Sequence, residues 1–306
     1  MKQFLSCDWG TSSFRLRLID ASSLDIVNEV SSDQGIALTH TQWLSEGEPE
    51  SAREAFYKKV IAKAALELTK DGKDMPIILS GMASSSIGIR ELPYQNFPFN
   101  WKASELIYKK IEPDVTLQYP VYLVSGMRVA NDIMRGEETM LLGCEQAGRY
   151  GFYIFPGTHS KHVVVEDGMA IDFKTYMTGE VFNLMSKESI LKNSVEAGKD
   201  VAAFEKGVVE AQHGNLLNSF FTVRANRVLG DSSLVSNYQY LSGLIIGTEL
   251  KDLKAFSPSM FGLVGDGPLF ESYTSAMQIL KMEQVQLISA TTALIKGHGK
   301  IFNAVI

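Results

Sequence analysis

Three short runs near the start of the chain, QFLSCDWG, FRLRLID and LDIVNEV, carry the apolar positions and turn-forming ends of strands and predict an opening β-meander. Residues 51–70 (SAREAFYKKVIAKAALELTK) switch to helical spacing, with Asp71-Gly72 as the expected stop and Pro76-Ile77-Ile78-Leu79 as a new strand. Residues 80–101, rich in Gly, Ser, Pro and aromatics, are too irregular for an element, and a loop of that length in a compact domain is often functional. VYLVSG then predicts a strand, and Glu137 to Ala147 a helix. After that helix the pattern restarts: YGFYIF, the turn PGTHSK, HVVVEDG and MAIDFKTY repeat the order strand, polar turn, strand, turn, strand. Helices are expected to about residue 254, followed by the buried strand of SMFGLVGDG with its Gly-rich turn and a helix near 269–282.

A second α/β lobe therefore echoes the first. The chain has 306 residues, 45% of them hydrophobic and 21% charged, and at such a length single cores tend to split in two. The net charge is −6 and no stripe of Lys and Arg forms, so the footprint of a nucleic-acid binder is missing. Two cysteines, Cys7 and Cys144, are too few for a disulfide framework, and a reducing, cytoplasmic setting fits them. No leader-like start and no run of the ~18 apolar residues needed for a membrane span is found, so neither export nor a membrane partner is expected.

The candidate chemistry lies in the turns. Asp8-Trp9-Gly10-Thr11-Ser12-Ser13 offers a carboxylate for hydrated Mg²⁺, a glycine that lets a phosphate approach the backbone, and hydroxyl and amide donors. Such turns also occur as plain hairpins. A matching turn in the second lobe, Pro156-Gly157-Thr158-His159-Ser160-Lys161, makes a duplicated phosphate clamp for an ATP tail the stronger reading. His159 and His162 need not share a face and lack further ligands, which argues against zinc. Gly262 to Pro268 lacks the third glycine of a dinucleotide fingerprint, with Phe270 in its place; Gly265, Asp266 and Gly267 instead form either an ordinary strand-to-helix turn or a backbone that an adenosine approaches closely. In Asn131 to Thr139, the carboxylates of Asp132, Glu137 and Glu138 either cap a helix start or supply a general base, and spacing does not choose among them. Arg135, Lys161, Lys174, Arg224 and Arg227 are the cations that can meet a substrate carboxylate.

The sequence DWGTSS, GMASSSIG…ELPY, RGEETMLLG, PGTHSKHV, DFKTYMTGE, VRANRVLG and LSGLIIGTE resembles 2-dehydro-3-deoxygalactonokinases over nearly all of residues 4–300. That resemblance implies an actin/hexokinase/Hsp70-type α/β fold: two ribonuclease-H-like lobes, with an interdomain cleft that closes on Mg·ATP. The lobes are expected at 1–143 and 144–288, with about 289–306 packing back on the first. It implies a kinase that phosphorylates the C6 hydroxyl of 2-dehydro-3-deoxy-D-galactonate, a small-molecule sugar acid, in galactonate catabolism. By position, Asp8, Gly10, Thr11 and Ser12 resemble the first phosphate motif, Gly157, Thr158 and His159 the second, and Gly265 to Gly267 the adenosine motif. Asp132 resembles the Asn-Asp base of related sugar kinases, whereas Glu137 and Glu138 belong to the family's RGEET. Gly81, Ser84, Arg135, Lys161 and Arg224 are the expected substrate contacts. A homodimer is compatible with this reading. Two other activities share the fold, a phosphoanhydride hydrolase and a nucleotide-gated binding module.

Overall fold

The computed structural model describes residues 2–69, 75–144, 150–256 and 260–305; the helix stop expected at Asp71-Gly72 and the last residues of the helix expected to run to Ala147 lie outside them. The chain divides into two compact units. One comprises Met1–Gln146, Met169–Asp172 and Ala290–Ile306, the other Ala147–Gly168 and Phe173–Ser289.

The first unit opens with β1 (Gln3–Trp9), β2 (Phe14–Asp20) and β3 (Ile26–Ser32), an antiparallel meander. It continues through α1 (Ile36–Glu46), α2 (Arg53–Leu68), β4 (Ile77–Gly81), β5 (Gln95–Asn96), β6 (Tyr108–Ile111), β7 (Val121–Val124), β8 (Met127–Arg128), β9 (Ile133–Met134) and α3 (Glu137–Gly143). The main sheet runs β3-β2-β1-β4-β7-β6, with β1, β4 and β7 parallel. Central parallel strands are covered on both faces, and the sequence obeys: β4 and β7 are buried at every position. One face is covered by α2, whose Tyr57, Ile61, Ala64, Ala65 and Leu68 form a stripe at helical spacing. Trp9, fully buried, meets Phe14 edge-on at 5.0 Å and packs on Tyr57.

The second unit repeats the plan with β10 (Tyr150–Phe155), β11 (Ser160–Glu166) and β12 (Met169–Tyr176), followed by α4 (Thr178–Asn183), α5 (Val201–Ala211), α6 (Leu216–Leu229) and α7 (Leu234–Lys251). It ends with β13 (Met260–Gly265), α8 (Gly267–Ile279) and β14 (Val285–Ser289). The sheet order is β12-β11-β10-β13-β14, with β10 antiparallel to β11 and parallel to β13. In both units an antiparallel hairpin leads into parallel strands, the ribonuclease-H-like arrangement. Asp200, Asn215 and Ser233 cap α5, α6 and α7 with side-chain oxygens, which explains why these helices start where they do.

The last helix, α9 (Ala290–Val305), belongs to the first unit. Phe302 stacks on Phe4 at 5.0 Å, and the fully buried His298 is held by Ser6 Oγ at 2.7 Å and Ser80 Oγ at 3.0 Å. The expected division near residue 143 did not anticipate that Met169–Asp172 also joins the first unit. Ala170 and Phe99 exchange backbone hydrogen bonds of 2.8 and 2.9 Å there.

Contact between α3 and α9 is so close that a β-carbon at Gly143 would collide with the Ala293 carbonyl, and one at Gly297 with the Thr139 carbonyl. Gly297→Ala is expected to lower the unfolding free energy by about 1–3 kcal/mol, since neither backbone can yield cheaply. A urea midpoint equal to that of the wild type would show that the helices separate freely.

Candidate active site

Hydrogen bonds within the first turn and from the helix behind it fix its shape. Gly10 N–H donates to Ser13 carbonyl at 2.9 Å, closing the hairpin between β1 and β2. The first amides of α1 then bond the turn from behind: Ile36 N–H to the Gly10 carbonyl at 2.9 Å and Ala37 N–H to the Thr11 carbonyl at 3.1 Å. Gly35, the residue before the helix, lies so close to Thr11 and Ser12 that any β-carbon would collide with their backbone. Thr11 and Ser12 are left exposed at the tip. Asp8, at the end of β1, keeps 28% of its side chain exposed and pairs with Arg15 Nη1 at 3.2 Å. Desolvation pushes its carboxyl upward, with the Arg15 and Arg17 guanidiniums opposing.

Beside β1 the parallel β4 delivers Ser80 and Gly81, in register with Asp8 and Trp9. Gly81 has φ +92°, and a β-carbon there would sit 2.7 Å from the Trp9 carbonyl oxygen. Across from Gly81 runs the turn into α3, with Gly136 in near contact with it. The ends of β1 and β4 and the start of α3 thus converge within one unit. Arg135 is held by this framework: Nη1 donates to the Ser84 carbonyl at 2.7 Å and to Ser84 Oγ at 2.5 Å, and the guanidinium lies 4.1 Å from the centre of the Tyr94 ring.

The three carboxylates that sequence could not rank have different surroundings. Glu138 is fully buried; its Oε2 accepts from Gly136 N–H at 2.7 Å and its Oε1 from Thr139 Oγ1 at 3.1 Å. Glu137 is half-buried and accepts from Arg135 N–H at 3.1 Å. Asp132, also half-buried, lies between β8 and β9 and accepts from Ile133 N–H at 2.7 Å.

In the second unit, Gly157 N–H donates to Ser160 Oγ at 3.3 Å, while Thr158 and His159 occupy the exposed tip. The start of α4 buttresses this turn as α1 does the first. Glu180 N–H donates to the Thr158 carbonyl at 3.1 Å, and a β-carbon at Gly179 would come within 2.7 Å of the Gly157 carbonyl. His159 Nε2 also meets Glu180 Oε2 at 2.5 Å. Lys161, a candidate for the substrate, is buried and turns its Nζ onto the His159 carbonyl at 2.8 Å, so it braces the turn. Arg224, on α6, donates to Ser194 Oγ at 3.4 Å. At the third segment, Gly265 makes room for the Phe270 ring, so the residue that breaks a dinucleotide fingerprint is itself part of the packing. Asp266 precedes α8 in extended conformation, and Gly267 has φ +73°.

Sequence reading missed α1, Arg15, Tyr94, Ser80, His298, Glu180, Tyr273 and Glu249. Glu180 and Glu249 stand at the ends of the segments MTGE and GTE, but their partners lie 21 to 87 residues away in the chain.

The family model for 2-keto-3-deoxy-galactonokinase matches residues 8–301. A protein of Rhizobium meliloti (strain 1021) named a probable 2-dehydro-3-deoxygalactonokinase is 32% identical over 99% of this chain and 97% of its own length. The 2-dehydro-3-deoxygalactonokinase of Escherichia coli (strain K12) is 26% identical over 99% and 98%. A crystal structure of a Sinorhizobium meliloti protein provisionally named for the same activity superposes with a TM-score of 0.83, at 29% identity, covering 99% of this chain and 96% of that one.

Burial and the neighbouring Glu137 charge push the Glu138 carboxyl up from 4.5 to about 8, against the Gly136 amide and Thr139 hydroxyl. The folded chain therefore holds this proton more tightly than the unfolded chain, and Glu138 subtracts stability progressively as pH rises from 4.5 to about 8. Urea unfolding across that window should show the wild type losing stability relative to Glu138→Gln, with a constant gap at higher pH. Parallel profiles would mean that the carboxyl is already ionised when folded.

Proposed function

The chain belongs to the 2-keto-3-deoxy-galactonokinase family, and we propose that it moves the γ-phosphoryl group of ATP to the C6 hydroxyl of 2-dehydro-3-deoxy-D-galactonate, a step of galactonate breakdown. Membership makes it a phosphotransferase with an alcohol acceptor. The observation that best supports the finer reading is the pair of hairpin turns, each with exposed hydroxyl-bearing tips and a helix entry fixed behind it.

In this proposal Gly10, Thr11 and Ser12 meet nucleotide phosphates in the first turn, as do Thr158 and His159 in the second, and Gly265 to Gly267 face the adenosine. Gly157, its amide already given to Ser160, shapes the turn. Among the described residues no group of three or more His, Cys, Asp or Glu side chains gathers as a metal cage. One carboxylate at a phosphate turn suits Mg²⁺, which is usually held by one or two carboxylates, waters and substrate phosphates. Asp8 is that carboxylate, and the cation, when bound, supplies charge neutralisation at the phosphates.

During transfer, O6 of the sugar acid bonds to the γ-phosphorus as the bond from that phosphorus to the β–γ bridging oxygen breaks. ADP leaves, and the hydroxyl proton passes to a carboxylate. Asp132 is the proposed base. It lies part-exposed between β8 and β9 with Oδ1 on the Ile133 amide, whereas Glu138 is fully buried with both oxygens bonded; Glu137, part-exposed on the Arg135 amide, is the second candidate. Arg135, stiffened by Ser84 and Tyr94, is the proposed holder of the substrate carboxylate; its Nε is buried with no hydrogen-bond partner among the described residues.

Phosphorus–proton correlation NMR of the product should couple the new phosphorus to the two C6 protons; coupling to another position would refute the acceptor assignment. Asp132→Asn should lower kcat by about 10²–10⁴ while the KM for ATP stays near the wild-type value. Full turnover in that variant, with loss in Glu137→Gln, would transfer the role to Glu137.

A further inference from the structure

Beneath the second turn lies a buried polar cluster that the proposed chemistry does not use. At its centre is Glu249, 3% exposed near the end of α7, in the segment LSGLIIGTE. Three side chains converge on it. Tyr273, from α8, donates its hydroxyl to Oε2 at 2.5 Å, Thr178 Oγ1 at the start of α4 donates to the same oxygen, and His162 Nε2 from β11 lies 2.7 Å from Oε1. Tyr273 is fully buried, and its oxygen also lies 2.8 Å from Ser160 Oγ.

Donor arithmetic orders the whole cluster. A carboxylate only accepts, so Tyr273 spends its one hydroxyl proton on Glu249. Ser160 must then donate to the Tyr273 oxygen, and its own oxygen is free to accept the Gly157 amide. Thr178, also bonded to Glu249, is followed by Gly179 and Glu180, which buttress Thr158 and His159. Both sides of the turn are thus referred to one carboxylate.

We propose that Glu249 is a positioning residue for phosphoryl transfer: through Tyr273–Ser160 on one side and Thr178–Glu180 on the other, it fixes the conformation in which the second turn receives nucleotide phosphate. The inference rests on the reading of that turn as a phosphate site. His162 completes the arrangement. Its Nε2 faces Glu249 while its buried Nδ1 lacks a partner among the described residues, so the tautomer protonated on Nε2 leaves only a lone pair unmet.

Tyr273→Phe deletes the relay and keeps the ring. It should raise the KM for ATP about tenfold, the effect of one buried hydrogen-bond partner removed, and leave the KM for the sugar acid near the wild-type value. Ser160→Ala breaks the same path at the turn and should behave alike, which covers the case in which the tyrosine variant does not fold. Glu249→Gln can keep its oxygen on Tyr273 and Thr178 and turn its amide to His162. Nitrogen NMR should then find His162 switched to the tautomer protonated on Nδ1, with the KM for ATP closer to wild type than in Glu249→Ala. Hydrogen exchange of Thr158 to Ser160 with and without ADP tests the underlying reading separately. Without protection by ADP, the phosphate reading fails and this inference with it. With protection, a Tyr273→Phe or Ser160→Ala enzyme that melts earlier but has an unchanged KM for ATP would overturn the positioning role alone.

Discussion

The feature on which both units depend is a helix entry pressed against a hairpin turn at a distance that only glycine allows. In the first unit Gly35 lies on the backbone of Thr11 and Ser12, and in the second Gly179 lies on Gly157 and Thr158. A side chain at either position would lift the helix away from the turn and cost the backbone hydrogen bonds that join them. Those bonds consume carbonyls that would otherwise face water, so the turn's residues are held with their tips outward. In the proposed reaction, rigid donors at these tips need little reorganisation, and catalysis of phosphoryl transfer relies chiefly on that. The same device at corresponding places in the two units is the physical content of their repeated strand order.

Buried carboxylates are the second recurrent element, and they are handled in two ways. Glu249 has both oxygens engaged by polar side chains from three other elements. Glu138 meets one amide and one hydroxyl beside another acid, and its carboxyl is pushed upward to about 8. Asp8 stands between these, part-exposed, pushed upward by desolvation and drawn down by two arginines. Such differences separate residues that the sequence lists side by side, like Asp132, Glu137 and Glu138.

Much of the fold was legible. The strands of each opening meander announced themselves by pattern, and α2 by its stripe of Tyr57, Ile61 and Leu68. What stayed hidden has physical causes. In α1 only Ile36, Thr39 and Trp43 are buried, and its cap is a glycine without a side-chain acceptor, so neither periodicity nor a start signal marks it. The edge strand β6 buries only Ile111. The turns and the RGEET segment could be proposed as sites because their polar residue types lie together in the sequence. Tyr273, His298 and Glu249 were not, because their roles depend on partners brought together by the sheet order.

Coupled ADP release with Mg·ATP over a panel of 2-dehydro-3-deoxy sugar acids, alongside glycerol, hexoses and a water-only control, tests the kinase assignment most directly. The account predicts release that depends on the galactonate compound and is matched mole for mole by its phosphate ester. Equal release without any acceptor, as a phosphoanhydride hydrolase would give, or nucleotide binding with no release on any acid, would contradict it.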